Sequence, residues 1–219
     1  MTDSTQILLE DAQAAAQVLH NVLIYYPSAE LMDTFKQNQL GANWPRFNDS
    51  EQNRQGRELV HAYLEQYQAD QHTQLSLDYG QLFFGPGRPN AMPWGSVYLG
   101  EEGILNDDST TALRRFLKDI GLVYQLERNL PADHIALLFG CIAELLQAIL
   151  ANPDSEQTVQ QLIELLQSHV FPWSDRCFSQ ALEHANSDFF KGLALLAQDL
   201  QCTLTQALSL EVESLKLYQ

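Results

Sequence analysis

A chain of 219 residues with 45% hydrophobic and 18% charged residues can bury a sizeable core without disulfides or metals, and reads as one domain spanning residues 1–219, with two lobes as the alternative. Its 12 Lys and Arg against 28 Asp and Glu give a formal net charge of -16. That balance excludes a nucleic-acid or anionic-lipid surface, which needs clustered cations; it attracts basic partners, with acidity that merely keeps a cytosolic protein soluble as the alternative. Cys141, Cys177 and Cys202 are far apart with no C-x-x-C, so neither a disulfide framework nor a zinc site is expected. The N-terminus "MTDSTQILLEDAQ" lacks a basic n-region, and no window approaches about 18 uninterrupted apolar residues. A cytoplasmic protein without membrane insertion is expected.

The first helix is predicted from Ser4 to Tyr26, with Leu8, Ala12, Ala15, Leu19, Val22 and Tyr26 recurring at three or four, Ser4 or Thr5 as its cap, and Pro27 as its end. A short helix follows from Ser28 to Gln39, stopped by Gly41, and a longer one from Glu51 to Gln68 carries Leu59, Val60, Tyr63 and Tyr67. "DDSTTALRRFLKDIG" predicts a helix capped by Asp108 or Ser109 and ended by Gly121. "LPADHIALLFGCIAELLQAILANP" places Pro131 at the first helical position and Ile135, Leu138, Phe139, Ile142, Leu146 and Ile149 on a core stripe. "EQTVQQLIELLQSHV", "FPWSDRCFSQALEHA", "SDFFKGLALLAQDL" and "TLTQALSLEVESLKLY" each read as a further helix. No period-2 strand is found, so the fold class is all-α, with roughly ten helices and short loops.

One stretch breaks this pattern. Residues 78–99, "DYGQLFFGPGRPNAMPWGSVYL", form a Gly-, Pro- and aromatic-rich insert, and long irregular segments in compact domains are usually functional. Pro93 and Gly95 hold Trp94 on rigid backbone, so that Phe83 and Trp94 are expected at the edge of a groove; a loop buried by its own aromatics is the alternative. Catalytic patterns are missing. "WGSVY" is not a G-x-S-x-G elbow, "GPGRPN" is not a Walker loop, and the six histidines show no ligand spacing on one helix. Asp133 and His134 are adjacent and so do not face each other on a helix; an acid in the first turn complements the helix dipole.

Four successive blocks, "DYGQLFFGPG...MPWGSVYL", "STTALRRFLKDIGL", "ERNLPADHIALLFGCIAELL" and "SHVFPWSDRCFSQALEHANSDFFKGLALLA", resemble the TorD/DmsD family of redox-enzyme maturation chaperones, most of all its DmsD branch. The resemblance implies a cytoplasmic, non-enzymatic protein without a cofactor of its own. Its implied partner is the twin-arginine signal peptide of a molybdopterin-containing oxidoreductase subunit, such as that of dimethyl sulfoxide reductase, with the client's folded core as a second contact. The family's peptide-recognition positions fall on Leu82, Phe83, Pro93, Trp94, Ser96, Tyr98, Asp133 and His134. Ala132 between Pro131 and Asp133 departs from the family's E-x-P-D-H. The rival reading is a nucleotide-dependent switch or enzyme that uses the "GPG" loop as a phosphate nest.

Overall fold

The structure is a computed structural model that describes residues 2–122 and 130–219. Glu127, Arg128 and Asn129, which open the third block, lie outside the described residues. The helices are α1 (Asp3–Ile24), α2 (Ala29–Gln37), α3 (Leu40–Asn43), α4 (Glu51–Gln66), α5 (His72–Tyr79), α6 (Gly95–Leu99), α7 (Asp108–Asp119), α8 (Ile135–Ala151), α9 (Glu156–Glu164), α10 (Phe171–His184) and α11 (Asp188–Ala207). A 3₁₀ turn at Ala69–Gln71 and π-helical segments at Gly80–Phe84 and Leu165–Val170 complete the regular structure. Among the described residues the β-type pairing is one isolated bridge, Trp94 with His134, and the fold is all-α. No described helix is long and apolar enough to cross a membrane.

The chain divides into two compact units, the first made of Met1–Asn21, Pro93–Ser174 and Leu204–Gln219, the second of Val22–Met92 and Asp175–Thr203. In the first unit the predicted stripe of α8 is fully buried, and so are Ala136, Leu137, Gly140, Cys141, Ala143 and Leu145 off the stripe. A helix apolar nearly all round belongs inside, and α8 is the core element of its unit. In the second unit α4 and α11 cross closely: a Cβ on Gly192 would stand 2.7 Å from the Gly56 carbonyl oxygen. Ser50 caps α4 through the Asn53 amide, and the Asp199 carboxylate takes the Ser50 hydroxyl and Asn53 amide groups.

Several expected boundaries move. The first-turn cap of α1 is Thr2, whose Oγ1 accepts the Thr5 N–H, and that of α7 is Asp107, which accepts from Ser109 and Thr110. Gly41 does not stop a helix; it lies within α3, where a Cβ would meet the His61 backbone nitrogen at 2.5 Å, and the stop comes earlier, at Asn38 and left-handed Gln39. The chain runs helically from Glu156 through the π segment into α10, because Pro172 offers no amide hydrogen to the Ser168 carbonyl, and a widened turn, with Phe171 N–H bonded to the Leu166 carbonyl, carries the chain past it. The last two expected helices are replaced by the single α11 and a non-helical tail. Ser209 takes φ 50°, and the Leu210→Thr205 and Ser209→Gln206 amide bonds close a Schellman motif there.

Candidate functional site

Six of the eight expected site residues lie in the first unit, where two short segments pair. The Ile135 amide donates to the Pro93 carbonyl at 2.7 Å and the Gly95 amide to the Asp133 carbonyl at 3.2 Å, and this clamps Pro93–Gly95 against Asp133–Ile135. Pro131 is therefore not the first helical residue. It opens a turn closed by His134 N–H to the Pro131 carbonyl at 3.1 Å, which absorbs Ala132, and α8 starts only at Ile135 with His134 as its cap.

Asp133 precedes α8 and does not serve its dipole. Its Oδ2 instead accepts the Ser96 amide at 2.7 Å, satisfying an orphan donor in the first turn of α6. Asp133 is 3% exposed, yet among the described residues its Oδ1 has no partner, nor has the Oγ of fully buried Ser96. His134 Nδ1 accepts the Ala136 amide at 3.2 Å, so the imidazole proton sits on Nε2. Burial, with the His20 ring nearby as a second cause, pushes the His134 pKa down to about 4, and the ring is neutral at pH 7. His20 holds the same helix start by donating from Nδ1 to the Ala136 carbonyl at 2.7 Å. No sequence pattern marks that partner, which is 116 positions away.

Trp94 is half-buried, with its ring edge-on to His134 at 5.8 Å. Pro93 and Tyr98 are buried. Tyr98 stacks on Trp173 at 5.5 Å, and the Trp173 indole donates to the His169 carbonyl. The glycine of "PWGS" is a packing requirement: a Cβ on Gly95 would stand 2.7 Å from the Trp173 ring.

Leu82 and Phe83 lie in the second unit, on the π segment. Phe83 is 4% exposed, packed at 5.6 Å on Tyr79 and 5.8 Å on Phe190, so its ring does not stand at a surface edge. The exposed ring is that of Phe84, 55% accessible, against Tyr26 at 39%. Both are residues the motif reading leaves out, although "YYP" and the second Phe of "LFF" mark them in hindsight. Gly80 permits this packing, since its Cβ would lie 3.1 Å from the Tyr26 hydroxyl.

No group of three potential metal ligands occurs among the described residues. The "GPG" loop is a poor phosphate cradle. Pro86 and Pro89 have no amide hydrogen, and the Gly85 amide is spent on the Gly80 carbonyl.

The nitrate reductase delta subunit family matches residues 48–179. The Tat proofreading chaperone DmsD of Salmonella typhimurium is 30% identical over 199 residues, 89% of each chain, and that of Salmonella typhi 29% identical over the same share. The chaperone protein TorD of Photobacterium profundum is 30% identical over 94 residues, 43% of each chain. The chain belongs to the nitrate reductase delta subunit family, that of the TorD and DmsD chaperones.

Proposed function

We propose that this protein is a cytoplasmic chaperone that binds the twin-arginine signal peptide of a molybdoenzyme precursor, of the dimethyl sulfoxide reductase kind, and delays its export until the cofactor is inserted and the enzyme is folded. The observation that carries this reading is the clamped pair Pro93–Ser96 and Asp133–His134. It holds a half-buried indole on one segment and, on the segment paired with it, a buried carboxylate with one oxygen unpartnered among the described residues. A twin-arginine leader supplies a cation and then a moderately apolar segment, which answers both groups. The net charge of -16 adds attraction at long range. The names of the relatives, Tat proofreading chaperone and chaperone, support the same class.

Four apolar leader side chains buried at roughly 1.5–3 kcal/mol each give a gross ~6–12 kcal/mol. Ordering the peptide removes part of that, and a Kd near the micromolar range, about -8 kcal/mol, is expected. The test is fluorescence anisotropy with a labelled synthetic twin-arginine leader and its R-R to A-A counterpart. Binding should be saturable, several-fold weaker for the A-A peptide, and slower in association at high salt because screening removes the steering. No binding of either peptide, or equal binding of both, refutes the proposal.

A further inference from the structure

Leu210–Gln219 leave the end of α11 as non-helical chain and belong to the first unit. The Tyr218 amide donates to the Tyr98 carbonyl at 3.0 Å, and the tail's Leu215, Lys216 and Tyr218 line, together with Leu113, Asp133 and Trp173, a cavity of about 470 Å³. That is the size of a ligand pocket, which runs from about 300 to 1,000 Å³, and far more than a packing defect. One polar group of its lining is not fully satisfied. Asp133 Oδ2 is taken by Ser96, which leaves Oδ1, shielded from solvent and without a donor among the described residues. Natural proteins leave few such atoms, and each one asks for an explanation.

The tail itself indicates what fits there. "SLKLYQ" sets one cation among apolar side chains, with the Lys216 ammonium 4.5 Å from the centre of the Tyr218 ring. It is loosely seated, since Leu215 is 43% exposed and Lys216 faces solvent. A well-packed terminal segment would bury its leucines.

We propose that the C-terminal tail is an intramolecular occupant of a groove for extended peptide in the first unit, a stand-in for the cation-and-apolar part of the leader, and that a client leader binds there by displacing it. This rests on the signal-peptide reading above. The tethered tail competes at the high effective concentration of a short linker, and the leader's apparent affinity falls by the fraction of molecules with the tail lifted. A leader of the right pattern overcomes this; a weaker peptide does not.

The experiment uses the full chain. Hydrogen exchange of residues 210–219 is followed with and without saturating twin-arginine leader peptide, and the Tyr218 amide is expected to exchange about tenfold faster when the leader is bound. Tyr218→Pro removes the amide donor to Tyr98 and should tighten leader binding by roughly three- to tenfold. A synthetic peptide of residues 210–219, added to the Tyr218→Pro chain, should bind saturably and its scrambled version should not. Unchanged or increased protection of the tail with leader bound, affinity unchanged or lowered by Tyr218→Pro, or no binding of the tail peptide each overturns the proposal. If the tail peptide binds but no leader binds to any chain, the groove stands and the signal-peptide reading fails.

Discussion

Replacing Asp133 separates its two jobs. Asp133→Ala strands the Ser96 amide, which is fully buried and bonded at 2.7 Å to Oδ2. A hydrogen bond to a charged group contributes about 1.5–3 kcal/mol, and an orphaned buried donor costs a similar amount. Both figures describe the same lost bond, so the expected destabilisation is about 2–3 kcal/mol. Asp133→Asn keeps an oxygen for the Ser96 amide, loses the charge and sets an NH2 group in place of Oδ1, at a cost of about 1 kcal/mol. With a urea m-value near 2–3 kcal/mol/M, the alanine midpoint should fall by roughly 1 M and the asparagine midpoint by less than half of that. Melts followed by tryptophan fluorescence, which reports on Trp94 and Trp173 in the first unit and on Trp44 in the second, measure this, and titration with labelled leader at 0 M urea measures binding. Both variants should bind leader more weakly, since both remove the anionic oxygen. An alanine variant as stable as wild type would show that the cap on α6 contributes nothing. An asparagine variant with unchanged leader affinity would remove the carboxylate from the recognition chemistry.

Gly95→Ala drives a methyl to 2.7 Å from the Trp173 ring, and should cost about 1–3 kcal/mol of overpacking, read as a lower urea midpoint. His134 is held neutral with a pKa near 4 against about 6.5 when unfolded, so between those values the unfolded chain binds the extra proton and stability falls as the pH drops. That contribution reaches about 3 kcal/mol at the bottom of the window, is absent above pH 7, and should disappear from the pH profile of His134→Gln melts. Trp94→Ala should lower leader affinity by about 2 kcal/mol or more with a smaller loss of stability, because the indole is only half-buried and its nitrogen has no partner among the described residues; a collapsed midpoint with normal binding would make Trp94 a core residue instead.

The helices are legible where one face or all faces must be apolar. The stripe of α8 could be read directly because burial demands that spacing, and every residue of it is buried. Caps are less legible, since "NDDST" offers several acceptors and the chain turns at Asn106, with φ 62°, which puts Asp107 rather than Asp108 at the end of extended backbone. The start of α8 could not be read from local pattern at all. Pro131 fits a first helical position, but the Ile135 amide is bonded to the Pro93 carbonyl, 42 positions back in the chain (135 minus 93), and long-range pairing outweighs propensity. The end of α11 failed for a related reason: the left-handed position is filled by Ser209, where sequence rules look for Gly or Asn. Motif reading singled out Asp133, His134 and the Pro93–Ser96 stretch as separate blocks, and the structure pairs the two segments in the first unit; the motifs had no means of seeing that the aspartate reaches α6 and not its own helix.

A second buried aspartate makes the case for Asp133 sharper. Asp78, in the second unit, is also 3% exposed and also holds the start of a distant helix. Its Oδ1 accepts the Asn186 amide at 2.9 Å, and its Oδ2 accepts the Ser187 amide at 2.7 Å, just before α11. Both of its oxygens are therefore occupied, whereas Asp133 has one without a partner among the described residues. Two carboxylates with the same burial and the same capping task differ in the one respect that matters for a cationic ligand. Asp78→Ala strands two amides, and should cost about 3 kcal/mol or more of stability. Under native conditions the folded fraction should bind leader with wild-type affinity. Asp133→Asn should show the reverse, near-normal stability with weakened binding. If Asp78→Ala also weakens the leader affinity of folded protein, a spare acceptor is not what distinguishes the recognition residue, and the assignment of that role to Asp133 fails with it.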